Sequence, residues 1–162
     1  MKKLSIFFIT VLYSSLMFAQ SAEKDEMEIK QLILSNFEKT NKGKLEVVEY
    51  SKNGLYGFNS TGGLLVYTPK ALLKQNAYDN VKLEPKHITV ISLVPGQAAV
   101  AMFYSEGSMK PKGSGSVPHY LTRVSQTYVK EDGSWVIRTG HYSPITGGSG
   151  TTQIGSTTED KE

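Results

Sequence analysis

The chain has 162 residues, 39% of them hydrophobic, with 18 Lys+Arg against 15 Asp+Glu, a formal net charge of +3 and no cysteine. The missing cysteine excludes disulfides, a thiolate nucleophile and cysteine-ligated zinc. Charge this balanced excludes strong electrostatic binding of nucleic acid or anionic membrane, so no nucleic-acid partner is expected.

The first residues, MKKLSIFFITVLYSSLMFAQ, read as an export signal. Lys2 and Lys3 form the positive start, and Leu4 to Phe18 form an apolar run too short for a membrane span with flanking anchors. Ala19 is a small residue before the expected cut, and Gln20 starts the mature chain. An uncleaved N-terminal anchor is the alternative, and the lack of cysteine near the cut rules out a lipid-modified one. The expectation is a signal peptide over 1–19 and a protein exported to the periplasm or secreted, without stable membrane insertion after cleavage. About 140 residues then remain, enough for one domain with a single core.

In the mature chain, Asp25 and Glu28 resemble a capping box that satisfies free amides at a helix start. Ile29, Leu32, Ile33 and Phe37 follow on one helical face. Lys39, Lys42 and Gly43 then suit a helix end. Residues 44–52, KLEVVEYSK, fit either an alternating strand or one helical turn. Asn53-Gly54 marks a turn, LYGF a short strand, and Ser60-Thr61-Gly62-Gly63 a second turn. Thr68-Pro69 has the chemistry of a helix start, predicting a short helix ALLKQNAY that buries Leu72 and Leu73.

From Val81 to Ser143 the chain reads as sheet. Pro95-Gly96 joins one hairpin, and Asp132-Gly133 joins the most strongly signalled one. GSMKPKGSGSVP between them is expected to be a mobile loop. The tail over 146–162 has almost no apolar content and is expected to be disordered. Helices followed by a long antiparallel run argue an α+β fold.

The order of elements and the ending RVSQTYVKEDGSWVIRTGHYS resemble the nuclear transport factor 2-like (NTF2-like) superfamily, and more narrowly its SnoaL-like or ketosteroid-isomerase-like branch. The family's ending pattern falls on Arg123, Ser125, Asp132, Gly133, Trp135, His141 and Ser143, and the resemblance covers roughly residues 26–145. It implies a cone-shaped, cystatin-like curved antiparallel sheet wrapped around N-terminal helices, with a small-molecule pocket. It also implies that residues 44–52 are a short second helix. Relatives such as the association domain of calmodulin-dependent kinases place an arginine at the Gln126 position and a histidine at the Thr139 position. This chain lacks that anion-binding pair.

The last hairpin divides by parity. A two-residue turn pairs Lys130 with Trp135, Tyr128 with Ile137, Gln126 with Thr139 and Val124 with His141. One face then carries Tyr120, Val124, Gln126, Tyr128, Trp135, Ile137, Thr139 and His141. The other carries Arg123, Ser125, Thr127, Val136, Arg138 and Tyr142. A slip of one residue would exchange the two sets. The expected pocket residues are Tyr104, Tyr120, Gln126, Tyr128, Trp135, Thr139 and His141.

The three histidines show no metal-ligand spacing, so neither a metal nor another cofactor is expected. There is no G-x-S-x-G elbow for a serine hydrolase. An isomerase of the ketosteroid kind needs a carboxylate base beside tyrosine donors. Asp79, Glu84 and Glu106 are the acids near the sheet, and no acid–tyrosine pair can be placed from sequence. Two readings follow. One is a non-catalytic exported domain binding a small apolar or amphipathic ligand, or a partner. The other is a small SnoaL-like isomerase, cyclase or lyase with Tyr104, Tyr128 and His141 around its substrate. A homodimer through the outer face of Ser125, Thr127, Val136 and Tyr142 is a further expectation.

Overall fold

The computed structural model describes residues 2–145, 148 and 150, with side chains described from residue 21 onward. The expected tail therefore lies, apart from Gly148 and Gly150, outside the described residues. The side chains of the expected signal lie outside them as well. No helix among the described residues is long and apolar enough to cross a membrane.

One helix, α1 (Lys2–Gly43), precedes six strands: β1 (Leu55–Phe58), β2 (Val66–Thr68), β3 (Tyr78–Val94), β4 (Ala98–Pro111), β5 (Val117–Glu131) and β6 (Ser134–Pro144). The strands form one curved, unclosed sheet in the order β2-β1-β6-β5-β4-β3. Strand β1 runs parallel to β6, and every other neighbouring pair is antiparallel. The architecture is α+β, and the expected plurality of N-terminal helices is corrected to one α-helix.

Helix α1 does not start at Asp25. No glycine or proline interrupts the chain before it, so the helix continues upstream. Asp25 is 3% exposed, and its carboxylate instead accepts from the Gly96 amide at 2.6 Å. It thus closes the β3–β4 turn. Glu28, the other half of the expected box, accepts from Trp135 Nε1 at 3.1 Å and Lys130 Nζ at 3.2 Å. At the far end Gly43 is still helical, and Lys44 takes the left-handed φ of 54°.

Residues 44–52 form no helix, so the implied second helix is also corrected. The segment is stitched at both ends. Leu45 bridges Ala77, and Tyr50 bridges Ile137. Ser51 N donates to Ile137 O, and Ile137 N donates to Glu49 O, each at 2.9 Å. Thr40 Oγ1 accepts from Val47 N at 2.9 Å, fixing the strap to α1. These bonds to distant strands replace the local ones that a helix would make.

The predicted helix after Thr68 shrinks to a single 3-10 turn, Lys70–Leu72, with no side-chain cap and Leu72 67% exposed. The polar groups behind it are engaged elsewhere: Gln75 Nε2 donates to Val48 O at 3.2 Å, and Asn76 donates to Glu46. The expected mobile loop is short, because β4 extends to Pro111 and β5 starts at Val117.

The core lies between α1 and the concave face of β4–β6. Ile29 and Ile33 pack with Ala99, Ala101, Phe103, Val124, Tyr128, Trp135 and Ile137. Ala99 and Ala101 are fully buried small side chains that let the helix approach the sheet. Tyr78, Val81, Leu83, Met109, Val117 and Tyr120 form a second cluster, and Phe37 touches both. Gly107 sits at an irregularity between β4 and β5 with φ 145°, where a Cβ would collide with the Lys82 carbonyl oxygen.

The Asp132-Gly133 turn forms as expected, with φ of 50° and 83°. Glu131 pairs with Ser134, Lys130 with Trp135 and Tyr128 with Ile137. Beyond that the register changes. A bulge at Arg138 pairs Thr127 with Thr139, Gln126 with Gly140, Ser125 with His141 and Val124 with Tyr142. One extra residue in β6 exchanges the two faces from there outward.

Candidate functional site

A cavity of about 460 Å³ opens between α1, the 44–50 strap and the concave face of β4–β6. Its apolar wall includes Ile33, Phe37, Phe103, Val124 and Ile137. These positions follow from α1's helical spacing and from the alternation of β4 and β5. A second hollow, around Lys82, Lys86, Glu106 and His119, is an open depression on the outer side of β3 and β4. Lys86, Glu84 and Glu106 within it already pair with one another, at 3.4 Å and 3.5 Å from the lysine. The inner cavity has the apolar lining of a ligand site.

Three of the expected pocket residues, Tyr120, Gln126 and Tyr128, line the cavity. The other four do not. Tyr104 lies on the opposite face of β4 from Phe103, 42% exposed and edge-on to His87 at 5.8 Å. Trp135 is 7% exposed beneath α1, donating to Glu28, with Lys130 Nζ 4.9 Å from its ring centre. The Arg138 bulge turns Thr139 and His141 away. Thr139 Oγ1 donates to Thr127 Oγ1 at 2.8 Å on the outer face, and His141 is exposed beside Phe58 at 5.3 Å. Arg138 itself donates to Gly54 O at 3.0 Å and lies 5.0 Å from the Tyr56 ring centre.

The same bulge brings Tyr142 into the cavity, although parity placed it outside. There the Tyr128 hydroxyl donates to Gln126 Oε1 at 2.8 Å, and Gln126 Nε2 donates to the Tyr142 hydroxyl at 2.7 Å. This chain fixes the amide's orientation and leaves the Tyr142 proton to donate elsewhere. Burial raises the phenol pKa of Tyr128, Tyr142, Tyr50 and Tyr78, so all four remain protonated donors near neutrality.

The strap contributes Glu46, the carboxyl group of the cavity, together with Val48 and Tyr50. Glu46 Oε2 accepts from Asn76 N at 3.0 Å and Asn76 Nδ2 at 2.7 Å. The surrounding protein raises its pKa above the ordinary carboxylate value, and the two Asn76 bonds oppose that shift. Its side chain nonetheless keeps partial exposure to solvent. Its charge is felt by Tyr50, Tyr78, Tyr120 and Tyr142, whose ionisation it disfavours. The acids singled out in sequence lie elsewhere: Asp79 pairs with Lys110 at 3.0 Å, while Glu84 and Glu106 share Lys86. The strand reading of KLEVVEYSK carried the missed signal, since alternation puts Glu46, Val48 and Tyr50 on one side.

No lysine, arginine or histidine lines the cavity among the described residues. No group of three metal-ligating side chains occurs among them either.

Neither a family model nor a curated protein matches the sequence. Solved structures do match the fold. An NTF2-like protein of unknown function from Pseudomonas putida KT2440 superposes with a TM-score of 0.54 at 15% identity, over 83% of this chain and 98% of that one. The association domain of C. elegans CaMKII covers 87% of this chain and 96% of its own length at 13% identity, with a TM-score of 0.40. The first of these, with the single helix and the curved six-stranded sheet, defines the fold as NTF2-like.

Proposed function

We propose that this protein is an exported, non-catalytic binder of a small amphipathic molecule held in the cavity between α1 and the sheet. The observation that carries the reading is the lining itself. One wall is aliphatic and aromatic, and the other holds a fixed amide–phenol chain and a carboxyl group. Sites of this composition bury an apolar body while a few polar groups set its orientation. The export signal over 1–19 belongs to the same proposal. So does membership of the SnoaL-like or ketosteroid-isomerase-like branch, supported by the sequence pattern of the last hairpin. The neutral fluorescent probe N-phenyl-1-naphthylamine tests the binding. Its emission is expected to rise with the wild type and not with Val124→Trp, which fills the cavity. No enhancement with the wild type would sink the reading.

Glu46 favours a second reading, an isomerase or lyase in the same cavity. A carboxylate with a raised pKa near a phenol donor is the pairing that proton abstraction beside a carbonyl requires. Exchange of the α-protons of 2-tetralone in D2O, followed by NMR, checks it. Catalysed exchange abolished by Glu46→Gln supports the enzyme, and no acceleration over buffer removes it.

We also propose a homodimer through the outer face of the sheet. Tyr142 leaves the expected interface because it points into the cavity, and Val136 is buried. The exposed Ile91, Met102 and Tyr104 take their place. Light scattering that gives a concentration-independent monomer would refute this.

A further inference from the structure

The cavity is electrostatically one-sided. Its charged lining group is Glu46, and no cationic side chain faces it among the described residues. A carboxylate or phosphate headgroup entering there would be desolvated beside a like charge without a counter-ion. A neutral alcohol could bond to the phenols but would leave the charge on Glu46 uncompensated. A cation gains on two counts. It forms a charge-assisted pair with Glu46, and it meets aromatic rings whose faces attract positive charge. Tyr50, Tyr78, Tyr120 and Tyr142 all line the cavity with Glu46. The apolar wall of Ile33, Phe37, Phe103, Val124 and Ile137 is where an aliphatic or aryl body would be buried.

We propose that the cavity is a receptor site for an organic ammonium ion with an apolar tail, its nitrogen seated at Glu46 among Tyr50, Tyr78 and Tyr142. The amide chain contributes direction as well. Gln126 holds the Tyr142 oxygen from one side at 2.7 Å, so that phenol is positioned before a ligand arrives. Preorganised groups of this kind lose little entropy on binding. The inference rests on the ligand-binding reading above and narrows it to one chemical class.

Isothermal titration of the full chain in phosphate buffer near neutral pH, with octylamine, 1-octanol and octanoate as probes of equal chain length, tests it. Octylamine is expected to bind roughly tenfold more tightly than octanol, with octanoate weakest. In Glu46→Gln, checked for folding by circular dichroism, octylamine is expected to lose its tenfold advantage over octanol. If that variant does not fold, Tyr50→Leu is expected to weaken octylamine more than octanol. Octanol binding the wild type as tightly as octylamine, or octanoate binding most tightly, would overturn the amine proposal and leave the cavity reading standing. An amine preference that survives in folded Glu46→Gln would overturn it too. Binding of none of the three probes would remove the ligand-binding reading itself, and this inference with it.

Discussion

Gln126 Nε2 donates to the Tyr142 hydroxyl at 2.7 Å, joining two residues that an unbroken β5–β6 register would send to opposite faces. The contact exists because Arg138 bulges out of β6, held there by Gly54 O and the Tyr56 ring. Bulges re-aim the side chains that follow them, and here the re-aimed side chain lines the cavity.

Tyr142→Phe removes the acceptor and leaves the Gln126 amide facing a ring edge. A cost of about 1–2 kcal/mol is expected from the unpaired buried group. Urea denaturation should show it as a lower midpoint at an unchanged slope. Gln126→Leu together with Tyr128→Phe in the same background should recover part of the loss, because no member of the Tyr128–Gln126–Tyr142 chain then lacks a bond.

Glu28 and Glu131 both have lowered pKa values. Glu28 owes this first to Trp135 Nε1 and then to Lys130, and Glu131 owes it first to Ser51. A lowered folded value means that the contribution is present above the ordinary value of 4.5 and is lost as pH falls through the folded pKa. Trp135→Phe removes the largest cause at Glu28. Its melting temperature should therefore decline less steeply than that of the wild type below that pH. Parallel acid limbs in the two proteins would contradict the assignment.

Glu46 has the opposite sign. Its folded pKa is raised, so the fold is favoured while the group is protonated, and stability is lost as pH rises from about 4.5 through the folded value. The neighbouring phenols of Tyr50, Tyr78, Tyr120 and Tyr142 have raised values and stay neutral across that window. Glu46→Gln keeps an acceptor for Asn76 and removes the charge. Relative to the wild type, its melting temperature should gain near neutral pH and show no gain in acid.

Gly107→Ala tests the β4 irregularity. Its φ of 145° is disfavoured for any side chain, and the added carbon would meet the Lys82 carbonyl. A loss of at least about 2 kcal/mol is expected in chemical denaturation. Gly113→Ala, where open space surrounds the Cβ position, should cost less despite its φ of 76°.

Features with a strong local cause were legible in the chain. The Asp132-Gly133 turn and its first pairs depend on two adjacent residues, and the Ile29–Ile33–Phe37 stripe depends on helical spacing. Tyr120, Gln126 and Tyr128 belong to β5, whose alternation is unbroken over that stretch, and their side chains line the cavity. Features with distant causes were not legible. No glycine or proline marks the Arg138 bulge, because the partners that hold it, Gly54 and Tyr56, are some eighty positions away. Asp25 looks like a helix cap because that pattern is local, yet Gly96 claims its carboxylate. Residues 44–52 carried strand and helix periods alike, and bonds to Ala77 and Ile137 chose between them.

The parallel pairing of Tyr56 with Thr139 makes an early strand depend on the last one for its place in the sheet. Strand β1 has no neighbour but β2 until β6 is in place, so the early part of the chain waits for its last strand. Such long-range closure slows folding. A polypeptide that ends before Ser134 would leave β1 and the Tyr50 end of the strap without their partner, and should be read by proteases as unfolded.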